Sequence, residues 1–72
     1  MKYGVVTVKV MGDDEFTELI TQDKAEAIDA ARDLWATICD ADKKTNRIEV
    51  REYVEDIEEE DCTCFDYDLI EW

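Results

Sequence analysis

Apolar and polar positions alternate from the start of the chain. In "KYGVVTVKVM", Val6, Val8 and Val10 fall on one side and Thr7 and Lys9 on the other. Period-two spacing rich in β-branched residues predicts a strand. "GDDE" follows as turn chemistry, with Gly12 free to adopt positive φ and Asp13 and Asp14 favouring a turn. "EFTELIT" then predicts the second strand of a hairpin.

The period changes after residue 21. Asp23, with Glu26 three residues on, has the form of a capping box, and Thr21 is a competing cap. Ile28, Ala31, Leu34, Trp35 and Ile38 recur at spacings of three and four, while Glu26, Asp29, Arg32 and Asp33 stay largely off that stripe. A helix over 23–39 is predicted, with Trp35 in its core-facing stripe rather than on a binding platform. "DADKKTN" ends it, and "RIEVREY" puts Ile48 and Val50 on one face of a third strand.

These elements have one simple arrangement. The hairpin makes the first two strands antiparallel. The helix covers one face and returns the chain to the far edge of the first strand, giving order 2-1-3 with the valine-rich strand in the centre. The expected fold class is α+β, a ββαβ layer of one helix on a small antiparallel sheet. The tail adds to it. In "CFDYDLIEW", Phe65, Tyr67 and Leu69 alternate with Asp66, Asp68 and Ile70, and disordered acidic tails are poorer in aromatics than this. Residues 64–71 are expected to form a fourth strand beside the third or the second. Residues 54–63 are read as the acidic connection, solvated or a short helical turn. Residues 1–72 form one domain, small enough to bury only about 60% of its unfolded surface.

Charge changes this picture more than composition does. The net charge is −13; residues 1–53 hold 12 acids and 8 bases, whereas residues 54–72 hold 9 acids and no base. Such a field repels nucleic acid and anionic membranes and attracts basic protein surfaces, so direct DNA or RNA binding is excluded first. An odd cysteine count of 3, and no run resembling a signal peptide or a membrane span, point to a reduced, soluble, cytoplasmic protein.

Candidate chemistry is sparse. Histidine is absent, and with it the commonest general base; the only glycines, Gly4 and Gly12, make no phosphate-binding loop. No enzyme activity and no cofactor are expected. Cys39, Cys62 and Cys64 are one thiolate short of a structural zinc set, so Cys39 reads as a small buried residue at the helix end. "DADKKTNRIEVRE" fails as a calcium loop, because Lys44, Thr45 and Arg51 stand where an acid or amide, a glycine and a glutamate belong. The carboxylates remain. On a strand, residues i and i+2 share a face about 6.6 Å apart, close to the phosphate spacing along a nucleic-acid strand. Glu55, Asp56, Glu58, Glu59, Glu60, Asp61, Asp66 and Asp68 could therefore imitate phosphates, with Tyr67 and Trp72 as apolar anchors.

The run "NRIEVREYVEDIEEEDCTCFDYDLIEW" resembles the C-terminal half of small acidic proteins from mobile elements and prophages of Gram-positive bacteria. The stretch "DKAEAIDAARDLW" is similar in style. The resemblance carries no catalytic or binding residues. It implies a setting in which small acidic proteins include anti-CRISPR and anti-restriction inhibitors of host defence. The leading expectation is thus a nucleic-acid mimic occupying the basic channel of a defence nuclease. The alternatives are a generic module binding another basic partner, and a small cysteine–metal protein.

Overall fold

The computed structural model describes residues 1–12, 14–55 and 65–72. Its elements run β1 (Tyr3–Lys9), β2 (Glu15–Thr21), α1 (Lys24–Thr37), α2 (Asp40–Thr45), β3 (Asn46–Tyr53) and β4 (Tyr67–Ile70). The four strands form an antiparallel sheet in the order β2-β1-β3-β4, with α1 packed on one face. This is the α+β layer expected from the pattern, with the tail supplying the fourth strand beside β3. Most of the acidic connection lies outside the described residues, as do Asp56, Glu58, Glu59, Glu60, Asp61, Cys62 and Cys64.

Of the two candidate caps of α1, Asp23 is the one that caps it. Asp23 Oδ1 accepts from the amides of Ala25 (3.0 Å) and Glu26 (3.5 Å), satisfying two donors of the first turn. The amide of Asp23, which Glu26 would take in a capping box, donates instead to Thr21 Oγ1 at 3.1 Å. The helix buries Ala27 and Ala31 fully, with Ala30, Leu34 and Trp35 packed around them. Alanine at the contact lets the helix axis approach the sheet closely. "DADKKT", expected only to end the helix, forms the separate turn-and-a-half α2, and Cys39, expected to be buried, is exposed at its N-cap.

Neither face of β1 is open. Val5 lies under α1 with Ile48 and Val50, yet Val6 and Val8 on the opposite face are also buried. Val10, expected on the Val6–Val8 face, is exposed beyond the strand. The pair "VV" in mid-strand therefore reports two covered faces, as expected of a central strand. The hairpin returns by bonds from Lys9 N to Asp14 O and from Gly12 N to Lys9 O, and Gly12 does not use positive φ. The register of β1 and β2 slips by one residue, leaving Glu18 as a bulge between Leu19, opposite Val5, and Thr17, opposite Val6.

Gly4 is needed for space. A Cβ there would lie 2.8 Å from Cε2 of the fully buried Tyr53 and 3.1 Å from Cδ1 of Ile20. Gly4→Ala is expected to cost roughly 1–3 kcal/mol through overpacking, read as a lower urea midpoint with unchanged slope. A variant as stable as the parent would show that Tyr53 can move aside.

Candidate partner-binding surface

The helix-free face carries a charge network rather than a bare sheet. Strand alternation brings Arg47, Glu49, Arg51 and Tyr53 of β3 to that face, beside Val6, Val8 and the end of β2. Arg51 is only 1% exposed. Its Nη2 lies 2.7 Å from Glu15 Oε1 and 2.8 Å from Glu49 Oε1, its Nε donates to the same Glu49 oxygen at 3.0 Å, and its Nη1 donates to Glu15 Oε2 at 3.3 Å. Arg47 Nε takes the other Glu49 oxygen at 2.9 Å. The Tyr67 ring covers the guanidinium carbon at 4.2 Å and meets Tyr53 edge-on, with 6.0 Å between centroids. Burial alone would depress the Arg51 guanidinium, but its hydrogen bonds to Glu15 and Glu49 outweigh that and raise it above its ordinary value.

Glu15 responds in the opposite direction. The Arg51 hydrogen bond holds its carboxyl below the ordinary 4.5, against a smaller raising effect of burial, with the Arg51 and Arg47 charges adding to the depression. A depressed folded value means that Glu15 favours folding above its unfolded pKa, and that this contribution fades as pH falls through the folded one. The melting-temperature gap between the parent and Glu15→Gln should thus be full at pH 7, shrink below about pH 4.5, and close in stronger acid. A gap independent of pH would place the effect of Glu15 in packing rather than charge.

The acids selected from the sequence fall into three groups. Asp66 and Asp68 are exposed on the helix side of the β3–β4 hairpin, and Glu55 is exposed at the end of β3. Asp68 pairs directly across from Glu52, and the carbonyl of Asp66 accepts from Val54 N at 3.3 Å. Asp56, Glu58, Glu59, Glu60 and Asp61 lie outside the described residues. The two aromatic candidates separate. Trp72 sits on the same side as Asp68, half-buried edge-on against Trp35 with 6.5 Å between centroids, whereas Tyr67 lies on the opposite side over Arg51.

Glu52 joins this surface although the sequence reading did not select it. Its signal was present: in "IEVRE" it shares parity with Ile48 and Val50, so an acid continues the core-facing row at its exposed end. The result is a ridge of Glu52, Asp66 and Asp68, with like charges in directly paired positions. Ordinarily such a pair is destabilising. Among the described residues the ion pairs are Arg47–Glu49, Arg51–Glu15 and Arg51–Glu49, none of which includes the ridge. Lys9 and Lys43 face the rings of Phe16 and Trp35.

Among the described residues no helix is long and apolar enough to cross a membrane. The exposed Cys39 donates from Sγ to Asp42 Oδ2 at 3.3 Å. No protein-family model matches the chain, and no curated protein or solved structure is significantly similar to it.

Proposed function

We propose that this chain is a non-enzymatic acidic protein that docks the helix side of its β3–β4 hairpin on a basic surface. The target is the nucleic-acid channel of a host defence nuclease, a CRISPR effector or restriction enzyme. The observation that carries the reading is the Glu52–Asp68 pair with Asp66 beside it. Two strands hold like charges at fixed spacing, and the arginines of β3 are engaged on the other face. A rigid row of carboxylates a strand repeat apart presents a basic groove with charge spaced much as phosphates are. The resemblance of the C-terminal run to acidic proteins of mobile elements supplies the setting.

The acids should cost the fold and serve the contact. Asp66→Asn with Asp68→Asn is expected to leave melting unchanged or slightly raised, because exposed carboxylates contribute little and one like-charge pair is relieved. The same change should weaken partner binding, and parent binding should fall as salt rises, since the contacts are screened over about 8 Å at physiological ionic strength. Affinity capture from a host lysate, followed by competition with DNA or RNA, tests the target. A captured nuclease that loses its nucleic acid supports mimicry. A partner that binds this protein and nucleic acid together, with salt-insensitive affinity, would overturn it in favour of a general interaction module.

A further inference from the structure

We infer that the outer edge of β4 accepts an extended strand from a partner protein, one in which lysine or arginine alternates with apolar residues. β4 ends the sheet, and among the described residues no strand pairs with its outer side. Two bonds set the phase of the backbone. Tyr53 N donates to Lys2 O at 2.9 Å and Val54 N donates to Asp66 O at 3.3 Å. Odd-numbered residues of β3 therefore bond toward β1, and even-numbered ones toward β4. Through the β3–β4 register, Asp66, Asp68 and Ile70 turn their amides and carbonyls inward. Tyr67 and Leu69 turn theirs outward, as a short unpaired ladder.

The two edges of the sheet differ. β2 carries the Glu18 bulge, a common way of spoiling an edge for further pairing. β4 pairs with β3 without a register break, and contains neither proline nor lysine. It is an edge left able to pair.

Its side chains select what can be added. On the helix-free side Leu69 is 62% and Tyr67 37% exposed, so a neighbouring strand would cover apolar surface there. On the other side Asp66 and Asp68 are exposed beside Glu52. An added strand thus meets Asp66 and Asp68, followed by the half-buried Ile70, on one face, and Tyr67 and Leu69 on the other. A second copy of this chain does not fit. Each copy carries a net charge of −13, and self-pairing would bring Asp66, Asp68 and Glu71 of both into one seam. A basic–apolar strand satisfies both faces and extends the sheet to five strands, the mode of recognition known as strand addition.

This inference does not rest on phosphate mimicry. Mimicry requires only exposed acids, whereas strand addition requires the outward backbone groups. The probe is an end-blocked eight-residue peptide alternating lysine and valine, added to the intact protein and followed by fluorescence anisotropy and amide hydrogen exchange. In the free protein the Tyr67 and Leu69 amides should exchange quickly, and those of Asp68 and Ile70 slowly. Saturating peptide should slow Tyr67 and Leu69 at least about tenfold. A peptide of the same composition with lysines and valines in separate blocks should bind at least about tenfold more weakly, and a glutamate–valine peptide should not bind. Leu69→Pro removes one outward N–H without touching a bond to β3 and should abolish binding, while Leu69→Thr should retain it. Equal binding of the blocked and alternating peptides, or unchanged Tyr67 and Leu69 exchange in the parent, would overturn strand addition even if Leu69→Pro failed to fold. Neither result would bear on the competition experiment for mimicry.

Discussion

A chain ending before Phe65 is expected not to fold. Such a truncation removes β4 from its pairing with Val50–Tyr53 and strips four separate contacts from the sheet. Ile70 and Trp72 leave the core around Val50 and Trp35, Phe65 leaves Tyr53, and the Tyr67 ring leaves Arg51. Full burial of a large apolar side chain is worth about 1.5–3 kcal/mol, so four partial burials with their backbone bonds remove on the order of 5 kcal/mol. Domains of this size have little more than that in total. The truncated chain should lose the dispersed amide spectrum and the cooperative melt of the parent. A cooperative melt within a few degrees of the parent's would show that β4 is an appendage. Trp72→Ala should give a graded version of the same loss, about 1–3 kcal/mol given that its ring is only half-buried.

Arg51→Ala should be the most damaging single substitution, costing about 3–5 kcal/mol. The guanidinium is the common partner of Glu15 and Glu49. Without it, Glu49 stays 8% exposed with only Arg47 to balance it. The penalty is mostly that of a charge left without enough partners in a poorly solvated place. Replacing both members by apolar groups should therefore recover much of it: Arg51→Met with Glu49→Leu is expected to be clearly more stable than Arg51→Met alone. Urea denaturation of the three variants reads this directly. A loss below about 1 kcal/mol for Arg51→Ala, or no recovery in the double variant, would place the weight of this face on Tyr53 and Val6 instead.

What was legible in the sequence follows from the range of each interaction. The strands, the helix and the 2-1-3 order rest on local periodicity and connection rules, and the alternation of Phe65, Tyr67 and Leu69 was enough to identify β4. The second covered face was not seen. A strand reading that assigns one side to the core places Val6 and Val8 there, and has no use for Val5. Arg51, buried on that other side, takes its charge balance partly from Glu15, 36 residues away. No local pattern encodes that pairing, although Glu49 and Arg51 two residues apart put opposite charges on one face. The candidate surface was legible as a stretch of chain but not as an arrangement. Asp66 and Asp68 were readable as a same-face pair; the cross-strand Glu52, and the separation of Tyr67 from Trp72 onto opposite sides, depend on register.

The position of β1 at the centre of the sheet has a consequence for biosynthesis. The earliest strand of this sheet is flanked by β2, which follows at once, and by β3, which begins at Asn46. Until that second neighbour emerges, one whole edge of β1 stays unpaired; Val5 can meet α1, but Val6 and Val8 lack the β3 groups that share their face. At about 5–20 residues per second the nascent chain spends seconds in this half-built state. Within this sheet β1 is therefore the strand exposed longest to wrong partners, including another nascent copy. Acids interspersed from Asp13 onward give every emerging chain the same sign of charge and disfavour that encounter. Completion then waits for residues 67–70, which form the last strand of the sheet to emerge.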